Sequence, residues 1–198
     1  MVDSTQGITK IDFDLNGLDL VTFTPHKFGG LTGTGVLVKK KTTILTPLIH
    51  GGLSQSVYRS GSTPLGLIAS IYKSLELALK NKEENYNKTK AINEYLLNGL
   101  SKIKNIRINS FDNPYIVNIS IKGIKSKDIV EYLAMRNICV SQKSACSIKN
   151  TPSKSIMVLY SDKTRALESF RISLCELTTK EDIDALIEAI RGINNGKI

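Results

Sequence analysis

A helical pattern of apolar residues occupies the middle of the sequence and separates two segments of a different kind. Its apolar residues are Leu67, Ile71, Leu75, Leu79, Ile92, Leu96 and Leu100. They recur at the spacing of one helix face, although a polar stretch interrupts them. Because strand-like runs lie on both sides, the sequence predicts an α/β chain. One long or kinked helix, which begins after Pro64, would join its two lobes.

Strands and helices are expected on either side of this central helix. The predicted strands cover residues 20–23, 34–38, 106–108, 115–121 and 170–174. Further helices begin at Ser126 and Thr179, where a hydroxyl residue precedes an apolar periodic pattern. We therefore predict two domains, a first one over residues 1–84 that includes the linking helix, and a smaller α/β domain over residues 85–198.

Composition limits the class of protein. With 198 residues, of which 41% are hydrophobic, the chain is long enough to bury a sizeable core. Cys139, Cys146 and Cys175 form no CxxC pair, so we predict neither a disulfide framework nor a metal site. A reducing cytoplasm fits this cysteine usage best. No long apolar run and no basic-then-apolar leader occurs, so no membrane association is predicted.

The net charge of +9 raises the question of nucleic-acid binding. The lysines are scattered, and the local clusters at 39–41 and 80–90 lack an aromatic stacking pattern. Glu83 and Glu84 also interrupt the second cluster. We therefore interpret these clusters as solvated faces and expect no nucleic-acid partner.

Lys27 stands between a predicted strand and a glycine-rich turn. A lysine at a strand end can be desolvated, and its amine can then form a Schiff base with an aldehyde. Most lysines beside turns are simply solvated. On spacing alone both interpretations of Lys27 remain open.

Several short motifs occur along the chain in one order. They are found at residues 1–7, 22–30, 49–52, 59–61, 144–147 and 170–174. In this order the chain resembles the second half of the cysteine desulfurases, a branch of the class V aminotransferases that use pyridoxal 5'-phosphate. The resemblance implies the C-terminal portion of a pyridoxal-phosphate-dependent transferase fold. Residues 1–84 would then be a partial cofactor-binding large domain, and residues 85–198 a small α/β domain.

The resemblance implies roles around the ring of the cofactor. Lys27 matches the lysine that binds the cofactor as a Schiff base and later moves the proton at the substrate α-carbon. Asp3 matches the acidic residue at the pyridine nitrogen, where it strengthens the electron sink. Gln6 matches the residue that hydrogen-bonds the ring hydroxyl. Outside the resemblance, Asp3 would be an ordinary turn carboxylate.

Phosphate contacts are implied in the same way. Thr24 and His26 match the residues that hold the cofactor phosphate beside the lysine. Taken alone, His26 is better explained as a structural hydrogen-bonding residue. Ser62 falls where the family has a threonine that reaches the cofactor phosphate of the neighbouring subunit. Thr63 follows it, so the identity of the donor hydroxyl stays open.

Cys146 lies in a segment of small residues with lysines on both sides. Such a setting predicts an exposed loop near positive charge, which favours the thiolate. The matching cysteine of the family attacks the sulfur of L-cysteine and produces alanine and an enzyme persulfide for a sulfur-acceptor protein. The alternative is an unreactive thiol. Cys139 and Cys175 fit that alternative better, because we expect them in apolar, strand-like segments.

Arg171 lies inside an apolar predicted strand and therefore needs a partner. The resemblance implies that it binds the substrate carboxylate, a task suited to the planar donor fork of arginine. A salt bridge with Glu168 or Glu176 is the structural alternative.

Two classes of function follow. The first is a pyridoxal-phosphate-dependent cysteine desulfurase of the iron–sulfur cluster assembly type, with a related selenocysteine lyase or class V aminotransferase as alternatives. A complete family member carries about as much chain again before this segment. We therefore expect the complete activity only if the first half is supplied. The expected assembly is a homodimer or a pairing with a separate N-terminal half. The second class is a non-catalytic, truncated remnant in which residues 85–198 bind a partner.

Overall fold

A computed structural model describes residues 1–12, 14–52, 56–110, 112–143, 151–194 and 196. The chain divides into two compact units, Met1–Glu83 and Glu84–Ile198. Both contain strands and helices, so the architecture is mixed α/β. The assignment of residues 1–84 to a cofactor-binding domain and of residues 85–198 to a small domain stays a prediction.

The first unit contains a three-stranded sheet, a 3₁₀ turn and a helix. Its elements are β1 (Val2–Asp3), β2 (Leu20–Phe23), the 3₁₀ turn (Pro25–Lys27), β3 (Val36–Lys39) and α1 (Leu65–Lys80). The strand order is β1-β2-β3, with β1 parallel and β3 antiparallel to β2. Val21 and Phe23 are buried and alternate on β2 with the half-buried Leu20 and Thr22, as expected for a strand with one covered face.

The 3₁₀ turn after β2 packs closely against α1. Pro25 is buried and accepts hydrogen bonds from the N–H groups of Phe28 (3.0 Å) and Gly30 (2.9 Å). A Cβ atom on Gly30 would lie 2.5 Å from the Cβ of Pro25 and 2.7 Å from the Oγ of Ser74 on α1. Gly30 therefore allows the turn that carries Lys27 to close onto the helix.

The second unit contains a three-stranded antiparallel sheet and most of the helices. Its elements are α2 (Lys82–Ser101), β4 (Ile106–Ile108), β5 (Ile116–Ile121), α3 (Ser126–Ala134), α4 (Lys154–Tyr160), α5 (Lys163–Glu168), β6 (Ser169–Ser173) and α6 (Lys180–Asn194). The strand order is β4-β5-β6. β5 is therefore the central strand and pairs antiparallel with both neighbours.

One face of this sheet forms the core of the second unit. Ile119 of β5 and Phe170 of β6 are directly paired and have no solvent exposure. Leu96 and Leu100 of α2 and Ile190 of α6 belong to the same buried cluster. Because side chains alternate along a strand, the residues between these apolar positions lie on the opposite face of the sheet.

The predicted residue Thr179 caps the last helix, α6. The N–H of Asp182 donates to Thr179 Oγ1 (3.2 Å), and the N–H of Thr179 donates to Asp182 Oδ2 (2.9 Å). This reciprocal capping satisfies N–H groups at the start of α6. At the start of α5, Asp162 Oδ1 likewise accepts from the N–H of Arg165 (2.9 Å).

The central helix is divided. α1 ends at Lys80 and α2 begins at Lys82, with Asn81 at the break. Asn81 lies within the polar stretch that interrupts the apolar pattern, and asparagine is poorly suited to a helix interior. Among the described residues no helix is both long and apolar enough to span a membrane.

The expectation that Cys139 and Cys175 lie in strand-like segments is wrong. Both thiols are free, exposed and outside the strands. α3 is followed by a turn in which Asn137 has a φ of +59°, and this turn leads directly to Cys139. After β6 the chain also turns, because the N–H of Cys175 donates to the hydroxyl of Thr178.

Replacement of Ile119 by alanine should destabilise the second unit. Removal of a fully buried side chain from the central strand leaves a cavity, at an expected cost of about 2–5 kcal/mol in the free energy of unfolding. Urea denaturation of the full chain, followed by far-ultraviolet circular dichroism, measures this cost. Leu177→Ala is the control, because Leu177 is 79% exposed. Equal destabilisation by both substitutions would contradict this assignment of the core.

Gly30→Ala should loosen the turn that carries Lys27. The added methyl group would overlap Pro25 and Ser74, and overpacking of this kind costs about 1–3 kcal/mol. Faster amide hydrogen exchange at Phe28 would report the loss of its hydrogen bond to Pro25. Gly35→Ala is the matched control, since a Cβ at Gly35 meets its nearest neighbour at 3.7 Å. Unchanged exchange in Gly30→Ala would refute the close packing.

Candidate functional site

Four of the predicted cofactor residues lie at one edge of the first sheet. Asp3 ends β1 and is paired with Thr22 of the parallel strand β2. Thr24 follows β2 directly and leads into the 3₁₀ turn with His26 and Lys27, both of which are exposed. The carboxyl ends of parallel strands open towards the same edge, where α/β sheets bind ligands.

Thr24 has an unsatisfied hydroxyl at this edge. Its Oγ1 atom is buried and has no hydrogen-bond partner, although Thr24 occupies the N-cap position of the 3₁₀ turn. A buried hydroxyl without a partner is costly and uncommon in folded proteins. A phosphate oxygen would accept its hydrogen bond, and the neighbouring Lys27 and His26 side chains are accessible to an anion. The residues present at this edge therefore fit a phosphate-bearing cofactor.

Asp3 is suited to contact a protonated ring nitrogen. Its Oδ1 atom accepts a hydrogen bond from the N–H of Thr5 at 2.9 Å. Hydrogen bonds from the side chain and the backbone of Thr5 lower the pKa of the Asp3 carboxyl. A carboxyl with a lowered pKa stays ionised at neutral pH, and an ionised carboxylate stabilises a nearby cation.

Gln6 and Ser62 are less closely associated with Lys27. Gln6 is exposed, and its Oε1 atom accepts a long hydrogen bond from Lys10 Nζ at 3.4 Å. Ser62 is exposed in the loop before α1. Between the described residues, no hydrogen bond or ion pair joins either side chain to Lys27. Their roles in cofactor binding stay predictions.

Arg171 occupies the middle of β6 in the second unit. It is paired with Asn118 of β5 on one side. On the other side it forms an isolated bridge with Ser141, through N–H to oxygen distances of 2.6 and 3.0 Å. Its side-chain Nε atom is buried and lacks a hydrogen-bond partner within the part of the chain that the structure describes. This donor is therefore available to a ligand.

The alternative salt bridges of Arg171 do not form within the described part of the chain. Glu168 is buried, and its Oε1 atom instead accepts a hydrogen bond from the N–H of Gly123 at 2.7 Å. The Oε2 atom of Glu168 has no hydrogen-bond partner among the described residues. A structural role as the ion-pair partner of Glu168 or Glu176 thus does not explain Arg171.

Cys146 lies in residues 144–150, outside the described residues. Residues on both flanks of this segment form hydrogen bonds. Ser141 is joined to Arg171 by the two backbone hydrogen bonds of the isolated bridge. Lys143 Nζ donates to the carbonyl oxygen (2.7 Å) and to Oγ1 (2.6 Å) of Thr151. The two ends of the segment that contains Cys146 are therefore held together, beside the strand that contains Arg171.

A polar network near Arg171 was not predicted. Asn109 is only 2% exposed, and its Oδ1 atom accepts from Arg165 Nε at 2.6 Å. Its Nδ2 atom donates to Asn118 Oδ1 and to Ser120 Oγ, both at 2.8 Å. The guanidinium of Arg165 also stacks on the ring of Tyr160, 3.5 Å from the centroid. The available signal was the alternation of polar and apolar residues along β5, which also fits a simple solvated face.

Comparison with known proteins identifies the relatives of this chain. The family model for class-V aminotransferases matches residues 1–186. The chain is 33% identical over 197 residues to cysteine desulfurase IscS of Buchnera aphidicola subsp. Baizongia pistaciae, covering 96% of this chain and 48% of the relative. It is 32% identical over 198 residues to cysteine desulfurase IscS of Pectobacterium carotovorum, with the same coverage.

A solved structure shares the fold. The X-ray structure of a NifS-like protein from Rickettsia africae matches 98% of this chain and 52% of its own, with a TM-score of 0.85 and 30% identity. The predicted fold class is confirmed, and so is the resemblance to the cysteine desulfurases. The chain spans about half the length of the curated relatives it matches. On the match to residues 1–186, the chain belongs to the class-V aminotransferase family.

Proposed function

We propose that this chain supplies the lysine, the thiol and the carboxylate-binding arginine of a pyridoxal-phosphate-dependent cysteine desulfurase. The observation that best supports this proposal is the edge of the first sheet. There the ionised Asp3, the unpartnered hydroxyl of Thr24 and the exposed amine of Lys27 follow two parallel strands. The similarity to cysteine desulfurases over 96% of the chain selects this chemistry among those that such an edge could support.

The cofactor residues are assigned by the chemistry of their atoms. Bound pyridoxal 5'-phosphate would supply an electron sink that makes the α-proton of an amino acid acidic. Asp3 would hold the ring nitrogen in its protonated form, and Gln6 would donate to the ring hydroxyl. Thr24 and His26 would bind the phosphate. In a homodimer, Ser62 would reach the phosphate of the neighbouring subunit.

Lys27 and Arg171 act on the substrate, L-cysteine. The amine of Lys27 would hold the cofactor through its aldehyde group, and the same amine would accept the α-proton of the substrate. Its exposure leaves it accessible to both molecules. Arg171 binds the substrate carboxylate, because its buried Nε donor has no partner within the described chain.

Cys146 receives the sulfur. Its thiolate attacks the substrate sulfur, so that a sulfur–sulfur bond forms and the carbon–sulfur bond breaks. The bonding pair stays with the β-carbon, which takes up one proton, equivalent to the proton released when the Cys146 thiol ionises. Lys27 returns the α-proton to the α-carbon, and the product is alanine. The persulfide on Cys146 then passes to a sulfur-acceptor protein, in the manner suited to iron–sulfur cluster assembly in the cytoplasm. A thiol is unnecessary for simple transamination, so Cys146 favours sulfur transfer. Selenocysteine would fit the same residues.

The complete activity is assigned to an assembly larger than one such chain. Because the chain spans about half the length of its relatives, part of a complete site corresponds to sequence that it does not match. Either a homodimer or pairing with a separate N-terminal half would supply the remaining contacts. The non-catalytic alternative, a partner-binding remnant, predicts that no cofactor binds under either arrangement.

Lys27→Ala should abolish covalent cofactor binding. Pyridoxal 5'-phosphate added to the purified chain, alone and together with the unmatched half of a relative, should give an imine absorbance band that borohydride reduces. Mass spectrometry should then place the reduced cofactor on Lys27. Lys41→Ala, which removes another exposed lysine of the first unit, should keep the band. Absence of the band in every arrangement would overturn the proposed enzyme and favour the non-catalytic alternative.

Cys146→Ala should eliminate persulfide formation from L-cysteine. Only the thiol at the attacking position can retain the transferred sulfur, so the loss should be complete rather than partial. Persulfide-specific alkylation of the cofactor-loaded assembly, read by mass spectrometry, measures it. Cys139→Ala and Cys175→Ala serve as matched controls, because both of these thiols are free and exposed. Equal loss in a control and in Cys146→Ala would contradict the assignment.

A further inference from the structure

Asn118 lies directly opposite Arg171 in the sheet of the second unit. The two residues are register partners in the antiparallel pair of β5 and β6. Directly opposed residues place their side chains on the same face, with Cβ atoms about 4.5–5.5 Å apart. Val117 and Ile119, on either side of Asn118, are buried in the core. The amide of Asn118 therefore shares the polar face with the guanidinium of Arg171.

The orientation of the Asn118 amide is determined by a donor at the far end of the network. Arg165 has only N–H donors, so the Asn109 atom that meets its Nε must be the oxygen. The Nδ2 atom of Asn109 is thereby directed towards Asn118 and Ser120. It meets Asn118 at 2.8 Å, which requires that Asn118 present its Oδ1 atom there. The arginine thus fixes two amides in sequence.

As a consequence, the Nδ2 atom of Asn118 is directed away from Asn109. It donates no hydrogen bond to any other described residue of the chain. The Nε atom of Arg171, across the strand pair, is likewise a donor without a partner. These two donors on opposed residues, neither of which has an acceptor among the described residues and one of which is cationic, form a recognition element for an anion with more than one acceptor oxygen.

We propose that Asn118 is a second ligand of the substrate carboxylate and that Arg165 and Asn109 are positioning residues that aim its amide. This inference rests on the proposed function, because it takes Arg171 to be the carboxylate-binding arginine. A carboxylate offers two oxygens and about four lone-pair sites, so it can accept from Arg171 and Asn118 together. The Asn118 donor adds a fixed direction to the contact, and thereby orients the α-carbon of the amino acid.

Side-chain NMR of the full, ¹⁵N-labelled chain tests this site directly. Heteronuclear spectra resolve the Nε–H signal of Arg171 and the Nδ2 protons of Asn118. The probe is L-alanine, the proposed product, which keeps the carboxylate but cannot react as a sulfur donor. Ethylamine, which lacks the carboxylate, is the matched control. L-Alanine should shift both signals along one saturation curve, and ethylamine should shift neither.

Two substitutions separate the amide donor from the rest of the network. Asn118→Asp keeps the acceptor for Asn109 but replaces the donor with an anion opposite Arg171, so L-alanine binding at this site should be lost. Asn118→Leu removes the donor without adding charge and should weaken L-alanine binding about 10-fold, the effect of one hydrogen bond to a charged group. Ser173→Ala changes an exposed residue of β6, the strand that contains Arg171, and should leave affinity unchanged.

A separate measurement tests the positioning role of Asn109 and Arg165. In Asn109→Ala the Asn118 amide loses its fixed orientation, so its two Nδ2 proton signals should move towards the chemical shifts of a freely rotating asparagine side chain before any ligand is added. Affinity for L-alanine should fall by less than in Asn118→Leu. Thermal unfolding of each variant shows whether it folds, and Asn118→Asp provides the test if Asn118→Leu does not.

The outcomes distinguish this inference from the function on which it rests. If L-alanine shifts the Arg171 signal while that of Asn118 stays fixed, or if both Asn118 variants bind normally, the role of Asn118 is overturned and that of Arg171 stands. If neither signal moves at saturating L-alanine, with the chain alone or together with the unmatched half of a relative, the carboxylate site at Arg171 itself is overturned. The cofactor band on Lys27 is independent of both results.

Discussion

The register between β5 and β6 determines both the core and the candidate carboxylate site of the second unit. Ile119 is opposite Phe170, and Asn118 is opposite Arg171. A shift of one residue would exchange the two faces, so that a guanidinium would enter the apolar core while an aromatic ring left it. Burial of an unpaired charge is strongly unfavourable. The packing of Phe170 therefore also fixes the position of Arg171.

The polar face of this sheet is largely buried, which gives its hydrogen bonds their importance. Ser120 and Asn109 are almost inaccessible, yet each forms hydrogen bonds within the network. Satisfied buried networks favour a single arrangement, because any alternative leaves a polar group without a partner. Buried polar atoms that lack a hydrogen-bond partner among the described residues are therefore exceptions. Arg171 Nε in the second unit and Thr24 Oγ1 in the first are buried donors at positions where the proposed chemistry requires an acceptor.

How much could be predicted from the sequence depended on whether the signal was local. The strand before Lys27, the hydroxyl that caps α6 and the alternation of β5 are local patterns, and the structure contains all of them. α4 and α5 were missed because each is too short to show a periodic pattern. The network was missed because its hydrogen bonds join distant parts of the chain, from Asn109 to Arg165. Such contacts become visible only once the register is known.

In the proposed function, the thiol of Cys146 meets a substrate whose carboxylate is bound at Arg171, and the pairing of Ser141 with Arg171 bears on this step. Sulfur transfer needs the substrate carboxylate and the attacking thiol to be correctly placed at the same time. Ser141, at the start of the segment that contains Cys146, is hydrogen-bonded through its backbone to Arg171 itself, and Lys143 joins that flank to Thr151 at the other end. The backbone at the start of the segment that contains Cys146 is therefore paired with Arg171, the proposed carboxylate-binding residue. Any displacement of β6 that keeps these hydrogen bonds would move both backbone positions together.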